Sequence, residues 1–198
     1  GDYRYVDANG DGIIDDNDRM PLFWSGTPLI HYGFNLEASW KNFDIYALLQ
    51  GAGMYTVQFS EVYAEVLWSK GANTPAYFYD RWRKEDPYNP NSKWVAGKWP
   101  ATRLIQDTGA MYKESNIWRR DASYLRLKTL ELGYTLPDSI LRKSGISNIR
   151  FYINGYNLLT FCDSFVKAFD PEKVEGSYSA GMNYPLTKSF NIGFTANF

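Results

Sequence analysis

Residues 7–18 read DANGDGIIDDND. Oxygen-bearing side chains fall at loop positions 1, 3, 5, 9 and 12, which are Asp7, Asn9, Asp11, Asp15 and Asp18. Gly12 stands at the sixth position, where such a loop must turn sharply, and Ile13 follows with its backbone carbonyl. Clustered hard oxygens suit Ca2+. The last position is Asp rather than the two-oxygen Glu of an EF-hand, and the shorter arm points to a modest-affinity, EF-like extracellular site. The plain alternative is an acidic Asx-turn loop with no metal. On either reading the segment fastens a loop and performs no reaction.

Other chemistry is sparse. His31 is the only histidine and starts an alternating strand, with no partner visible for nucleophilic catalysis. There is no HExxH and no zinc spacing, and Gly97-Lys98 runs into Trp99 without the upstream glycine of a phosphate-binding loop. No pair of carboxylates stands out for glycosidase chemistry. The sequence therefore predicts no enzyme. A net charge of −1 gives no reason to expect nucleic acid as a partner. Flat rings are abundant between residues 54 and 117, where Trp68, Tyr79, Trp82, Trp94 and Trp99 are candidates to stack on sugars or touch a partner; Tyr77 and Tyr88 accompany them. Most of these rings are expected to pack the loop onto itself.

Aromatic residues make up 18% of the chain although the mean hydropathy is only −0.43. Membrane β-barrels use this combination, with Tyr and Trp girdles at both interfaces and polar strand faces between. No apolar run reaches the ~18–20 residues of a transmembrane helix, which does not bear on a barrel. Cys162 is alone, so no internal disulfide forms, and it is expected to be inert. The chain begins without an initiator Met or a signal peptide and reads as a piece of something larger.

The elements that must position these groups are strands. From Asn183 to Phe198, Tyr184, Leu186, Phe190, Ile192, Phe194, Ala196 and Phe198 share one phase, broken only by Lys188; the other phase is small and polar. Side chains alternate across a strand, so this segment has one greasy face and one wet face. His31–Trp40 and Phe43–Gly53 alternate likewise around a Lys41-Asn42 turn and predict a hairpin. Residues 54–117 carry no clean strand, and Ser60–Lys70 looks helical. In Ser123–Leu136 the apolar phase shifts between Leu127 and Leu130, which a β-bulge near Lys128-Thr129 would reconcile. A helical turn over Asp138–Lys143 and a strand over Asn148–Thr160 follow.

The connections are sorted. Every short one (41–42, 137–147) falls on one side of the strands and every long one (1–30, 54–117, 161–182) on the other, the asymmetry of outer-membrane barrels. The polar face then lines a lumen through Asn35, Glu37, Asp44, Gln50, Arg150, Tyr152 and Asn154. The expected fold is all-β: about five C-terminal strands of a large antiparallel transmembrane barrel with long extracellular loops, five being too few to close one. The rival is a soluble, calcium-stabilised β-sandwich that binds carbohydrate.

Several pieces carry a family resemblance. GDYRYVDANGDGIIDDNDR precedes the YGFNLEASWKNFDIYALLQGAG hairpin; DASYLRLKTLELGYTLP (Asp121 to Pro137), NGYNLLTF (Asn154 to Phe161), DPE at 170–172 and the aromatic last strand follow. In this order and spacing the chain resembles the C-terminal part of the SusC/RagA family of TonB-linked outer-membrane proteins. The resemblance implies a segment of a 22-stranded barrel: an outer loop with the calcium-type motif over 1–30, a hairpin over 31–53, a long extracellular loop over 54–117 and the last three strands over 118–198. It implies import of oligosaccharides or peptides, a SusD-like surface lipoprotein as lid, and TonB contact through a plug-bearing N-terminal part outside this chain.

Overall fold

The computed structural model describes residues 1–59, 73–102, 115–142, 145–173 and 183–198. The helix expected over Ser60–Lys70, and Trp68 with it, lies outside them.

Five long strands form one antiparallel meander: β1 (Ile30–Trp40), β2 (Phe43–Gly53), β7 (Tyr124–Thr135), β8 (Asn148–Phe161) and β9 (Ser189–Asn197), in the order β1-β2-β7-β8-β9. They run 11, 11, 12, 14 and 9 residues. That is twice the usual ~5–6 of a globular strand and matches the ~9–11 needed to cross a bilayer at a tilt. Lys41, with φ 56°, makes the two-residue turn after β1. The turn is tied down from β7, because Asn42 Nδ2 donates to the Thr135 carbonyl at 2.8 Å and Thr135 N to the Asn42 carbonyl at 2.9 Å.

The expected bulge is present. Leu48 faces Thr129 and Leu49 faces Leu127, so Lys128 is the extra residue against β2, and the β7–β8 register shifts at the same place. The extra residue restores the phase, and Leu125, Leu127, Leu130 and Leu132 all reach one face.

Between β2 and β7 the chain is less irregular than its sequence suggests. β3 (Thr56–Gln58) pairs β6 (Arg119–Asp121), and β4 (Arg83–Lys84) pairs β5 (Trp94–Val95), with a 3-10 turn at Ala76–Asp80. Strands of two or three residues are too short to show alternation, which hid them. α1 (Asp138–Leu141) is the helical turn expected after β7, and α2 (Ser164–Lys167) follows β8.

The chain divides into two compact units. One comprises residues 1–23 and 58–120; its core is Phe59, Phe78, Trp99 and Trp118. The other holds the meander; most of its buried apolar residues (Ala52, Tyr55, Val57, Ala122, Tyr124, Val166) gather at the end of the sheet where the long connections leave, while Leu141 of α1 is buried at the other end.

Candidate functional site

The register sorts the meander into two faces. Across the sheet run the rows Trp40-Phe43-Tyr134-Phe151-Phe194, Ala38-Ile45-Leu132-Ile153-Ile192, Leu36-Ala47-Leu130-Gly155-Phe190 and Phe34-Leu49-Leu127-Leu159. Five strands at ~4.8 Å give a width of about 24 Å, and the first and fourth rows lie roughly 20 Å apart along the strands. The face is exposed: Phe34, Leu36, Trp40 and Phe194 are each more than half open and Ile192 is 84% open. An open groove lined by Trp40, Phe43, Tyr134, Phe151 and Ile192 is part of it. Soluble monomers rarely expose an apolar patch beyond ~300–600 Å2. The dimension to compare with the ~25 Å height of the apolar band of a membrane barrel is the extent along the strands, and the roughly 20 Å between the first and fourth rows comes near it.

The opposite face is polar and internally bonded. Near the short-turn end Arg150 pairs with Asp44, with Nε donating at 3.1 Å, and its Nη2 donates to Glu131 Oε1 at 2.8 Å. Glu131 Oε2 accepts from Asn154 Nδ2 at 3.0 Å, and Asn154 Oδ1 from Asn191 Nδ2 at 2.9 Å. The chain of bonds crosses β2, β7, β8 and β9. Glycine makes room for it: a Cβ on Gly133 would lie 2.3 Å from Arg150 Nη2 and 2.5 Å from the Asp44 carboxylate. Of the residues read as lumen-lining, Asp44, Arg150, Asn154 and (by register with Tyr46 and Glu131) Glu37 come together here. Asn35 and Gln50 lie on the same face further along, and the Tyr152 ring carries the Arg150 guanidinium at 5.4 Å.

Near the other end sits a cluster that the sequence reading missed. Arg126 is 3% exposed. Its Nε donates to Thr160 Oγ1 at 3.0 Å, its Nη1 to Glu172 Oε2 at 2.9 Å and its Nη2 to Asp170 Oδ1 at 2.6 Å. Lys128 Nζ reaches both Glu172 oxygens at 2.9 Å. A charged residue on the wet phase of a strand and a DPE segment later in the chain were the available signals. Nothing in the spacing said that they meet. Cys162, at the start of the same connection, is half-buried, and burial pushes its thiol pKa up, in keeping with an inert thiol.

The Asp-rich loop is closed by its own backbone. Asp7 accepts from Gly10 N at 2.7 Å and Gly12 N at 2.8 Å, Asn9 from Asp11 N at 3.0 Å, and Asp11 from Ile13 N at 2.8 Å. Asp18 accepts from Ala8 N at 2.7 Å and Asp15 N at 2.8 Å, and Asp15 caps the turn at Asn17. The hydrogen bonds from Asp15 and Ala8 hold the Asp18 carboxyl below its ordinary pKa. Gly10 and Gly12 have φ of 79° and 82°, which only glycine adopts without strain. Among the described residues no group of three or more His, Cys, Asp or Glu is gathered to hold a metal. The donor chemistry suits Ca2+, and the bonds from Gly10, Asp11 and Ile13 N–H groups are Asx-type turns.

The candidate contact rings separate. Trp99 is 4% exposed and stacks on Trp118 at 5.0 Å, with Tyr77 and Phe78 against it, so it is core. Tyr79 and Tyr88 are 84% and 95% exposed, Trp82 lies at the margin of exposure, and Trp94 is half open with Lys84 Nζ 4.7 Å from its ring centre. Where the long connection re-enters β7, Arg119 donates from Nε to Gln58 at 3.0 Å, and Asp121 accepts from Ser123 N at 2.8 Å.

No family model matches the chain. Two TonB-dependent receptors of Formosa agariphila are similar along it: receptor P3, 31% identical over 205 residues covering 98% of the chain, and receptor P26, 30% identical over 214 residues covering 100%. The chain spans about a fifth of their length, 19% and 20%. Among solved structures, the RagAB peptide importer in its open-open state aligns at 27% identity and TM-score 0.63, covering 88% of this chain and 18% of that one. Its closed-closed state aligns at 26% and 0.66, covering 96% and 20%. With the two-faced meander, the bulge and the sorted connections, this similarity makes the chain a SusC/RagA-like segment related to the TonB-dependent receptors.

Proposed function

We propose that this chain is a stretch of wall in an outer-membrane β-barrel of a TonB-dependent importer. The observation that carries the reading is the exposed apolar face, continuous and in register across all five strands. Exposed to water it is a liability; against lipid it is the required surface. The polar face then borders the lumen, the short turns face the periplasm and the long connections face outward. The receptor kinship supports energy coupling through TonB by a part of the polypeptide beyond this chain. The likeness to RagAB, a peptide importer, supports peptides as cargo; the same proposal takes oligosaccharides as the other cargo class and a SusD-like surface lipoprotein as partner, met by Tyr79, Tyr88, Trp82 and Trp94 on the outer loop.

Calcium enters as a structural ion of the loop formed by Asp7, Asn9, Asp11, the Ile13 carbonyl, Asp15 and Asp18. Each carboxylate there serves backbone N–H groups, yet an ionised carboxylate has about four lone-pair sites and keeps some for a cation. The soluble sandwich reading needs a second sheet to bury the apolar face. Among the described residues the other paired strands are only two or three residues long.

The test is the phase of the alternation in cells. Single cysteines at Ile192, Phe151 and Leu132 should react poorly with a water-soluble maleimide and well with a bilayer-soluble one. Cysteines at Glu37, Asn191 and Thr195 should do the reverse. Equal reactivity with the water-soluble reagent on both faces would reject the barrel wall.

A further inference from the structure

Between β8 and β9 the chain does not simply loop away from the sheet. Asp163 caps α2 by accepting from Phe165 N at 2.8 Å and Val166 N at 3.2 Å, and Val166 is fully buried. The chain then turns at Asp170, whose φ of 68° is in the left-handed region, and buries Pro171. Asp170 is a junction. Its Oδ1 takes Arg126 Nη2 at 2.6 Å and Glu172 N at 3.0 Å, while its Oδ2 takes Leu186 N at 2.8 Å. The Pro171 carbonyl accepts from Tyr55 Oη at 2.9 Å. One carboxylate thus ties the outgoing limb, the returning limb and β7 together.

The face on which this happens is fixed by the register. Arg126 lies between Leu125 and Leu127, which point to the apolar side, and it pairs with Gln50 and Thr160 on the polar side. Only something lying over the polar face could cover Arg126 to 3% exposure, and apart from Thr160 on the adjacent strand the residues bonded to its side chain are Asp170 and Glu172. The covered end is the one from which the long connections leave.

We propose that segment 163–172 is a strap folded into the outer mouth of the lumen, clamped to the wall by Arg126, and that it narrows the entrance on this side. This rests on the barrel-wall reading, because the polar face is the inner one only in a closed barrel. A narrowing fixed to the wall sets a limit on cargo bulk independent of any lid. It also removes about ten residues from the outer surface on which a partner could sit.

The test uses the receptor polypeptide that carries this chain, in intact cells, in a Cys162→Ser background. Ser164→Cys, exposed on α2, reports the strap, and Tyr88→Cys reports an outer loop. The probes are a small biotin–maleimide and a maleimide on a 5-kDa-class polyethylene glycol. Tyr88→Cys should take both. Ser164→Cys should take the small reagent and exclude the large one by at least tenfold in rate. Arg126→Gln should release the strap and restore the large-reagent reaction, with Glu172→Gln as a second release should the first fail to assemble. If Ser164→Cys reacts with the large reagent as fast as Tyr88→Cys, the strap is outside the lumen and the proposal falls. If Tyr88→Cys takes neither reagent although the receptor is in the membrane, the assigned sidedness is wrong and the strap falls with it.

Discussion

Arg126 Nη2 lies 2.6 Å from Asp170 Oδ1, across 44 residues of sequence, with both side chains at or below 5% exposure. A guanidinium so far from water is stable only because three acceptors meet it. Removing one partner leaves an uncompensated charge, which costs about 3–5 kcal/mol, whereas surface ion pairs cost about 0–1. Asp170→Ala should therefore lower the temperature at which the folded receptor loses its compact gel mobility by several degrees. Asp16→Ala, which breaks the exposed pair with Arg19, should leave it unchanged.

The apolar face makes a depth-dependent demand. Ile192 sits in the second row of the face, so Ile192→Lys should cost about 2–4 kcal/mol if that row lies near the bilayer midplane. Its neighbour Asn191 faces the other way, and Asn191→Lys should cost far less. The ratio of folded to unfolded receptor in outer-membrane fractions distinguishes the two, and similar losses for both would contradict the alternation.

Asp18 gives the N-terminal loop an acid response. Its pKa is held below the ordinary value by hydrogen bonds from Asp15, then Ala8. A depressed carboxylate stabilises the fold above its unfolded pKa, and that contribution is lost as pH falls through the lower, folded value. The backbone amides of Ala8 and Asp15 should thus stay protected from exchange at neutral pH and open only in acid. Asp18→Asn should weaken their protection at neutral pH. A rise in protection on acidification would reverse the sign and refute the assignment.

Calcium can be weighed on the same amides. If the loop takes the ion, millimolar Ca2+ should raise protection over residues 7–18 and Asp7→Ala should abolish the rise; a purely Asx-turn loop would show no calcium dependence. Extracellular modules with modest sites bind at ~10−4–10−3 M.

The aromatic candidates should separate by burial. Trp99→Ala removes a ring packed among Tyr77, Phe78 and Trp118 and should destabilise its unit by about 3–5 kcal/mol. Tyr88→Ala should leave stability within about 0.5 kcal/mol. If the outer loop meets cargo or lid, it should reduce growth on the imported nutrient. Thermal melts and growth curves on peptide and oligosaccharide mixtures read the two effects separately.

The strands were legible because a barrel wall writes its fold as plain alternation. His31–Trp40, Phe43–Gly53 and Asn148–Thr160 reappear with ends shifted by a residue at most. The last strand is shorter than its alternation from Asn183 predicts: β9 begins only at Ser189, because the stretch before it carries Pro185, which has no N–H to give, and spends the Leu186 N–H on Asp170. The bulge was legible because Leu127 and Leu130 break phase. The cluster at Arg126 was not, since its partners arrive from 44 and 46 residues away and ion pairing has no period. Trp99 and Tyr88 could not be told apart either, because an irregular loop offers no repeat from which to infer which rings are inside.

Lys128 has a consequence beyond its own contacts. The identity of a strand's two faces is a matter of parity, and this one residue sets the parity of β7. Deleting it would not trim the strand but exchange its faces on one side of the bulge. With the second half held in place, Leu125 and Leu127 would turn to the wet side and Arg126 to the greasy one. Changes of length within such a wall are tolerable in twos and ruinous in ones, except where an odd residue has already been absorbed.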